Sequence, residues 1–296
     1  AAGIAKFEPE LAKDQIRAML DYQNEKGMIA DCIFRDTLEE QHNWRNSKPP
    51  LLGWSIFEVF QSTHDTDFVR EVMPAAVRYH RFWRLYRSNP ILPQYMSYGS
   101  EDSTMIPAKW ESGMDNAVRF DQSKLMEGRD GSYVLNQASV DLYCFLHADL
   151  SYIMDLMKVC GVTRIPMPSP EEIGNLTRDF FDEELGWFFD LKINNDGTTS
   201  FVNTFGPEGW IPLFTELADS AQVAAVVAKL SDEDYFNSYV PFASLAVNDP
   251  ELRASDGYWR GPVWIDQAYF AVKGLRNYGY NELADEMTMK LFEHCE

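Results

Sequence analysis

The sequence predicts an all-α protein, a helical toroid or helical repeat, on three observations. Apolar and amphipathic stretches resolve into about ten helical segments in helix–loop–helix order. Strand-like runs are few and no strand–helix–strand rhythm recurs, which sets aside an α/β barrel. Hydrophobic residues make up 45% of the 296 residues and aromatics 14%, enough for a sizeable core. No internal repeat or low-complexity linker divides the chain, so one domain over residues 1–296 is expected.

The elements follow in order. Phe7, Leu11, Ile16, Met19 and Leu20 recur at helical spacing, predicting a helix over 7–26 that Gly27 closes. Met28 to Pro50 has no periodicity and is too long for an idle connection. Read by itself it is a solvated loop; it holds Arg35, Asp36, Trp44, Arg45 and Lys48, charged hydrogen-bonding groups beside an aromatic face. Leu51–Ser62 is apolar nearly all round and reads as a helix buried on both sides. A helix over 67–88 follows, kinked or restarted at Pro74, with Val77, His80, Phe82, Trp83 and Tyr86 as its core stripe and His80 as a structural histidine.

Asn89–Ser103 is expected to be loop, and Tyr133–Val159 one long apolar helix stopped by Gly161. Asp141 and Asp149 lie on one face of it and require partners, which neighbouring helices would supply. Ser169-Pro170-Glu171-Glu172 reads as a capping box opening a helix to about Glu184. Residues 186–200 read as a β-hairpin turning at Asn194-Asn195-Asp196-Gly197. Asp219-Ser-Ala-Gln222 caps a helix through Leu230, and helices over 266–278 and 281–295 end the chain, separated by Gly279 and with Asn281 as cap.

Composition narrows function. A net charge of −20 repels nucleic acid and anionic membrane surfaces and disfavours polyanionic substrates, while a neutral sugar suffers no such penalty. No apolar run approaches the roughly 18 residues of a membrane span. Ala1-Ala-Gly-Ile-Ala lacks the charged start and apolar stretch of a signal peptide. Cys32, Cys144, Cys160 and Cys295 have no CxxC spacing; Cys144 and Cys160 are expected to pack as small hydrophobes.

Trp110-Glu111-Ser112-Gly113-Met114-Asp115-Asn116 stands apart from this helical frame. It places two carboxylates, an indole and a bendable glycine within one short loop, the kind of segment that carries catalytic groups on a rigid scaffold. By itself it reads equally well as a surface loop with two solvated acids. Four motifs in order, Asn46-Ser-Lys48-Pro49-Pro50-Leu-Leu-Gly-Trp54, the loop at 110–116, Gly206-Pro-Glu208-Gly-Trp210 and Tyr258-Trp259-Arg260-Gly-Pro-Val-Trp264, together resemble glycoside hydrolase family 63, most strongly its bacterial α-glucosidase branch. The resemblance spans nearly the whole chain. It implies an (α/α)6 barrel cleaving α-glucosidic bonds of short oligosaccharides from the non-reducing end with inversion, Asp115 as general acid, and a periplasmic or secreted setting. It also implies that the 28–50 loop lies over the sugar pocket.

Glycoside hydrolysis needs two carboxyl groups flanking the scissile bond, and the acid must keep its proton near neutral pH. Asp115 in aromatic surroundings, with Glu111 four residues before it, fits the demand; Glu111 is read as binding a sugar hydroxyl rather than as the acid. Trp44, Trp54, Trp110, Trp210, Trp259 and Trp264 each lie in or beside a motif, where indole faces can pack on sugar rings, although two or three can equally be core. Arg260 is a fixed donor to a sugar oxygen. With Asp36, Lys48, Glu208 and Asp266 these complete the expected binding set. No cofactor is expected, and no metal: Arg87-Ser-Asn-Pro-Ile-Leu-Pro-Gln lacks the clustered oxygen ligands of the calcium loop that close relatives carry here.

One departure stands out. The family's general base lies in a motif like Glu-Asn-Tyr-Asn-Pro downstream of the segment matching 281–295, and no such motif occurs here. The barrel is therefore expected to lack its last helices and its base, with Glu208 and Asp266 as substitutes to consider. A trehalase-like or mannosylglycerate hydrolase-like enzyme of the same clan, or a catalytically silent sugar-binding protein, are the alternative readings.

Overall fold

The computed structural model describes residues 1–162 and 175–294. Two compact units form, one from Ala1–Gly113, Leu125–Leu135 and Phe145–Ile173, the other from Met114–Lys124, Asn136–Cys144 and Gly174–Glu296.

In the first unit, α1 (Pro9–Leu20) starts with proline at the first position, where no donor is lost. It stops well short of residue 26. Asp21 to Gly27 instead turn back, with Gly27 at φ +92°. Phe7 and Leu11 point to solvent, so the buried line is Ala12, Lys13 and Ile16 rather than the expected stripe. Lys13 is accommodated because Glu10 and Asp65 take its ammonium at 2.6 and 2.8 Å. α2 (Leu52–Thr63) fully buries only Gly53, Ile56 and Val59, one line rather than both sides. α3 (Thr66–Tyr86) runs unbroken for 21 residues through Pro74, and Asp65 caps it by accepting from the Asp67 and Phe68 amides. These helices and Ile153, Leu156 and Met157 of α5 (Val140–Val159) share one apolar core.

His80 is indeed structural: its Nδ1 meets Asp149 Oδ2 at 2.8 Å, and the other Asp149 oxygen accepts from Gly53 N at 2.7 Å. The expected helix over Tyr133–Val159 is corrected. Tyr133–Leu135 is strand β3, between β1 (Gly99–Ser100) and β2 (Leu125–Glu127), and helix begins only at Val140. Val134 and Leu135 are fully buried, and a short buried strand has the same apolar look as a buried helical turn.

In the second unit β4 (Gln137–Ala138) pairs with β7 (Leu191–Ile193), which pairs with β8 (Thr199–Phe201) across the predicted turn, with Gly197 at φ +81°. β6 (Trp187–Phe188) lies outside that hairpin and pairs with β5 (Phe181–Asp182). The capping box at 169–172 lies outside the described residues. The helix it was to open does not reach Glu184, since 175–180 is a 3-10 turn running into β5. α6 (Ile211–Phe214) follows the 3-10 turn Pro207–Trp210. Asp219 forms the predicted capping box with Gln222 at the start of α7 (Ser220–Ser231). α8 (Ile265–Asn277) and α9 (Asn281–Glu293) end the described chain; Tyr280, not Asn281, is the cap of α9. Trp187 is central to this unit's core: it stacks on Phe236 at 5.1 Å, and Gly209 lies so close that a Cβ there would collide with the indole nitrogen.

Candidate active site

α4 (Met105–Trp110) ends where the acidic loop begins, and Gly113 at φ +76° lets the chain leave the helix. Met114 is buried and anchors the next stretch, leaving Asp115 and Asn116 half-buried. These two residues grip the turn 257–260. The Asn116 side chain donates to Gly257 O at 3.1 Å and accepts from Trp259 N at 2.9 Å; its backbone carbonyl accepts from Arg260 Nε at 2.9 Å. Tyr258 donates its hydroxyl to Asp115 Oδ2 at 3.0 Å. Trp259 and Trp264 stack face to face, 4.1 Å apart and 5° from parallel, and the Trp264 indole donates to Tyr258 O at 3.0 Å. Asp115, Trp259, Arg260 and Trp264, expected together, are together, with Tyr258 and Asn116 added.

Arg260 is already engaged. Besides Asn116 O, its guanidinium meets Asp121 at 2.6 Å, so it fastens the turn to the 114–121 segment as well as carrying charge. Asp266 is exposed at the start of α8 and accepts from Gln267 at 3.0 Å.

Glu208 and Trp210 lie elsewhere than expected. Trp210 is fully buried and packs against Trp187 and Phe236. Glu208, 2% exposed, belongs to a buried cluster around Arg119. Arg119 reaches Asp141 at 2.7 Å, Asp190 at 3.1 Å and Glu208 at 3.8 Å. Asp141 thus finds its partner in Arg119, on the short 3-10 helix Val118–Phe120. Asp190 also accepts from Gln137, Ser139 and Val140 N, which satisfies the first turn of α5. One cation faces three carboxyls, so the cluster holds a proton, and the geometry puts it on Glu208, the least well hydrogen-bonded of the three. Burial pushes the Glu208 carboxyl up to about 8, with Arg119 opposing and Asp190 adding to the rise. Burial also works against the charge of Arg119, but the surrounding acids, Asp141 and Asp190 foremost, override it and hold the guanidinium protonated.

Arg119 stands four residues after Asp115, so this cluster pins the loop that carries the candidate acid. Sequence offered no local sign of it, because its members are spread from residue 119 to 208.

The remaining expected residues lie in the first unit. Glu111 is completely buried, and both oxygens are spent: Arg87 Nε and Nη2 bind at 2.5 and 2.8 Å, Ser47 N at 3.1 Å and Gly99 N at 2.8 Å. It is a brace between three segments rather than a sugar ligand, and Arg87 balances its charge. Lys48 is half-exposed, paired with Asp31 at 2.9 Å and donating to Trp110 O at 3.2 Å. Arg45 lies over the Trp110 ring at 5.3 Å, and Trp44 is half-buried nearby in sequence. Asp36 is exposed and pairs with its neighbour Arg35 at 3.2 Å. Among the described residues no three His, Cys, Asp or Glu side chains gather as a metal site.

The chain is matched over residues 1–296 by the family model described as the mannosylglycerate hydrolase MGH1-like glycoside hydrolase domain. Mannosylglycerate hydrolase MGH1 of Selaginella moellendorffii is 22% identical, with 98% of this chain and 70% of that protein covered. Among solved structures, the GH63 mannosylglycerate hydrolase from Thermus thermophilus in complex with Tris and D-glycerate gives a TM-score of 0.78 at 16% identity, covering 98% of this chain and 81% of that one. Neutral trehalase from Saccharomyces cerevisiae gives 0.72 at 15% identity, covering 96% and 61%. The fold is accordingly the (α/α)6 barrel of these proteins. Mannosyl-oligosaccharide glucosidases of Schizosaccharomyces pombe and Saccharomyces cerevisiae also match, at 29% and 28% identity over 35% and 36% of this chain, so the relatives support a glycosidase without fixing the expected α-glucosidase activity. A match along the whole chain places it in glycoside hydrolase family 63, as an MGH1-like glycoside hydrolase domain.

Proposed function

We propose that this chain hydrolyses a short α-glycoside with inversion, Asp115 being the proton donor. The observation that carries this is the setting of Asp115: a half-buried carboxyl on an irregular loop, one oxygen held by Tyr258 at 3.0 Å, beside the stacked Trp259 and Trp264. A carboxyl so placed can protonate the departing glycosidic oxygen as the C–O bond breaks. Of the two indoles Trp259 is buried in the stack, and the half-buried Trp264 is the one that can offer a face to the C–H side of a sugar. The water that attacks the opposite face needs a second carboxylate about 6.5–9.5 Å from the first. Glu208, enclosed around Arg119, is not available for that role; Asp266, exposed and on a motif segment, is the residue to mutate first.

The preferred substrate is an α-mannoside of glycerate, on the strength of relatives of that name that cover nearly all of the chain. The second reading is a neutral α-glucosyl disaccharide, favoured by the net charge of −20, which repels an anionic aglycone. The purified protein is incubated with mannosylglycerate, kojibiose, nigerose and trehalose, and the released sugar followed by proton NMR. Appearance of the β-anomer first supports inversion, and the substrate turned over fastest decides between the two readings. An α-anomer appearing first contradicts inversion. Sugar binding without turnover makes the chain a sugar-binding protein instead.

A further inference from the structure

Tyr258 belongs to neither the expected site nor the core, and its backbone is unusual. At φ +60° it occupies the left-handed region, which a bulky side chain enters only when its surroundings insist. Here they do on both sides. Gly257 before it has no room for a side chain, since a Cβ would meet Arg253 O at 2.5 Å and Arg260 O at 2.7 Å. The Gly257 carbonyl and the Trp259 amide are held by the two ends of the Asn116 side chain, and the carbonyl of Tyr258 itself by the Trp264 indole. The residue doing most of this gripping is the immediate neighbour of Asp115. Strain and latch together serve one visible result, the delivery of a phenolic hydroxyl to one oxygen of Asp115.

We infer that Tyr258 is the positioning residue of the proton donor: by donating to Asp115 Oδ2 it leaves Oδ1 to carry the transferable proton and fixes the plane in which that proton is presented. A neutral carboxyl has one O–H and can rotate; an incoming donor on one oxygen excludes the proton from it. When the proton leaves Oδ1 for the glycosidic oxygen, the charge developing on the carboxylate meets a hydrogen bond already in place. Burial and the contact with Asp115 both push the phenol up from its ordinary value, so it remains a donor throughout the neutral range. The inference rests on Asp115 being the acid.

The test is Tyr258→Phe, which removes only the hydroxyl, assayed beside wild type and Asp115→Asn on two substrates of the same glycon. One has a poor, alkyl or sugar leaving group; the other a dinitrophenolate that needs no proton. On the poor leaving group, kcat should fall about 10- to 100-fold, with KM within about twofold. On the activated substrate the loss should largely vanish. Asn116→Ala, which loosens the latch without touching the hydroxyl, should give the same leaving-group-dependent loss, and it decides the matter if Tyr258→Phe fails to fold. An unchanged kcat, or a loss equal on both substrates or confined to KM, overturns the inference. If wild type shows no turnover, or Asp115→Asn is as active as wild type, the reading of Asp115 falls and the inference with it. If Asp115→Asn is inactive on the poor leaving group while Tyr258→Phe is fully active, only the inference falls.

Discussion

Replacing Glu208 with glutamine removes a buried titratable group while keeping its shape, and the Arg119 cluster sets the consequence. At neutral pH the folded protein holds a proton on Glu208, whose carboxyl titrates at about 8, against 4.5 for an ordinary glutamate. The folded state therefore binds a proton that the unfolded chain has released. This stabilisation is fully present below about pH 4.5 and is lost as pH rises through about 8. For one whole proton the slope is roughly 1 kcal/mol or slightly more per pH unit, so on the order of 3–4 kcal/mol separates pH 5 from pH 8. Sharing of the proton with Asp190 and relaxation around the cluster make that an upper figure. Glutamine keeps the shape of the neutral carboxyl and cannot titrate, so Glu208→Gln should lie within about 1 kcal/mol of wild type near pH 4.5, lose this slope altogether, and be the more stable protein at pH 8. The assay is urea unfolding of both proteins at half-unit steps of pH. A stability difference that stays constant from pH 5 to 8 would refute the protonated Glu208 and the charge count behind it.

Other outcomes follow from the same contacts. Arg87→Met strands Glu111 as an unpaired buried carboxylate and should cost about 3–5 kcal/mol by denaturant unfolding, while the double change Arg87→Met with Glu111→Leu should recover much of that; a single variant as stable as wild type contradicts the bracing role of Glu111. Chelator treatment should leave turnover and Tm nearly unchanged, since the segment after Arg87 lacks clustered oxygen ligands and the Asn89 side-chain oxygen already accepts from Ile91 N and Leu92 N. A large drop reversed by added calcium would sink that expectation.

The parts of this fold that were legible in the sequence are those fixed by local chemistry. Asp219 with Gln222 marks a helix start because both partners of the capping box lie within one turn. Asp196-Gly197 marks a hairpin because only certain residues accept its backbone. Thr66–Tyr86 was legible from its apolar stripe, and Pro74 sits within it without breaking it. The strands at 133–138 were not: two or three buried residues have no measurable period, and the helix that follows is equally apolar. In the site, the Asp115 loop and the turn at 258–264 were legible as motifs. The burial of Glu111, Glu208 and Trp210 was not, since their motifs do not distinguish a residue facing a sugar from one bracing the backbone behind it. Arg119 and Arg87 left no local signal at all, because their partners come from distant parts of the chain. Tyr258 did have one: glycines at 257 and 261 on either side of an aromatic run mark a tight turn, whose purpose only the contact to Asp115 reveals.

Leaving-group dependence is the direct measure of proton donation by Asp115. Wild type and Asp115→Asn are compared on an alkyl or sugar glycoside and on the matching dinitrophenyl glycoside, with both proteins first shown to share the same Tm. Asp115→Asn should lose roughly two orders of magnitude or more in kcat on the first substrate and retain most of the rate on the second. Equal losses on both, or near-wild-type turnover of the first, would contradict it.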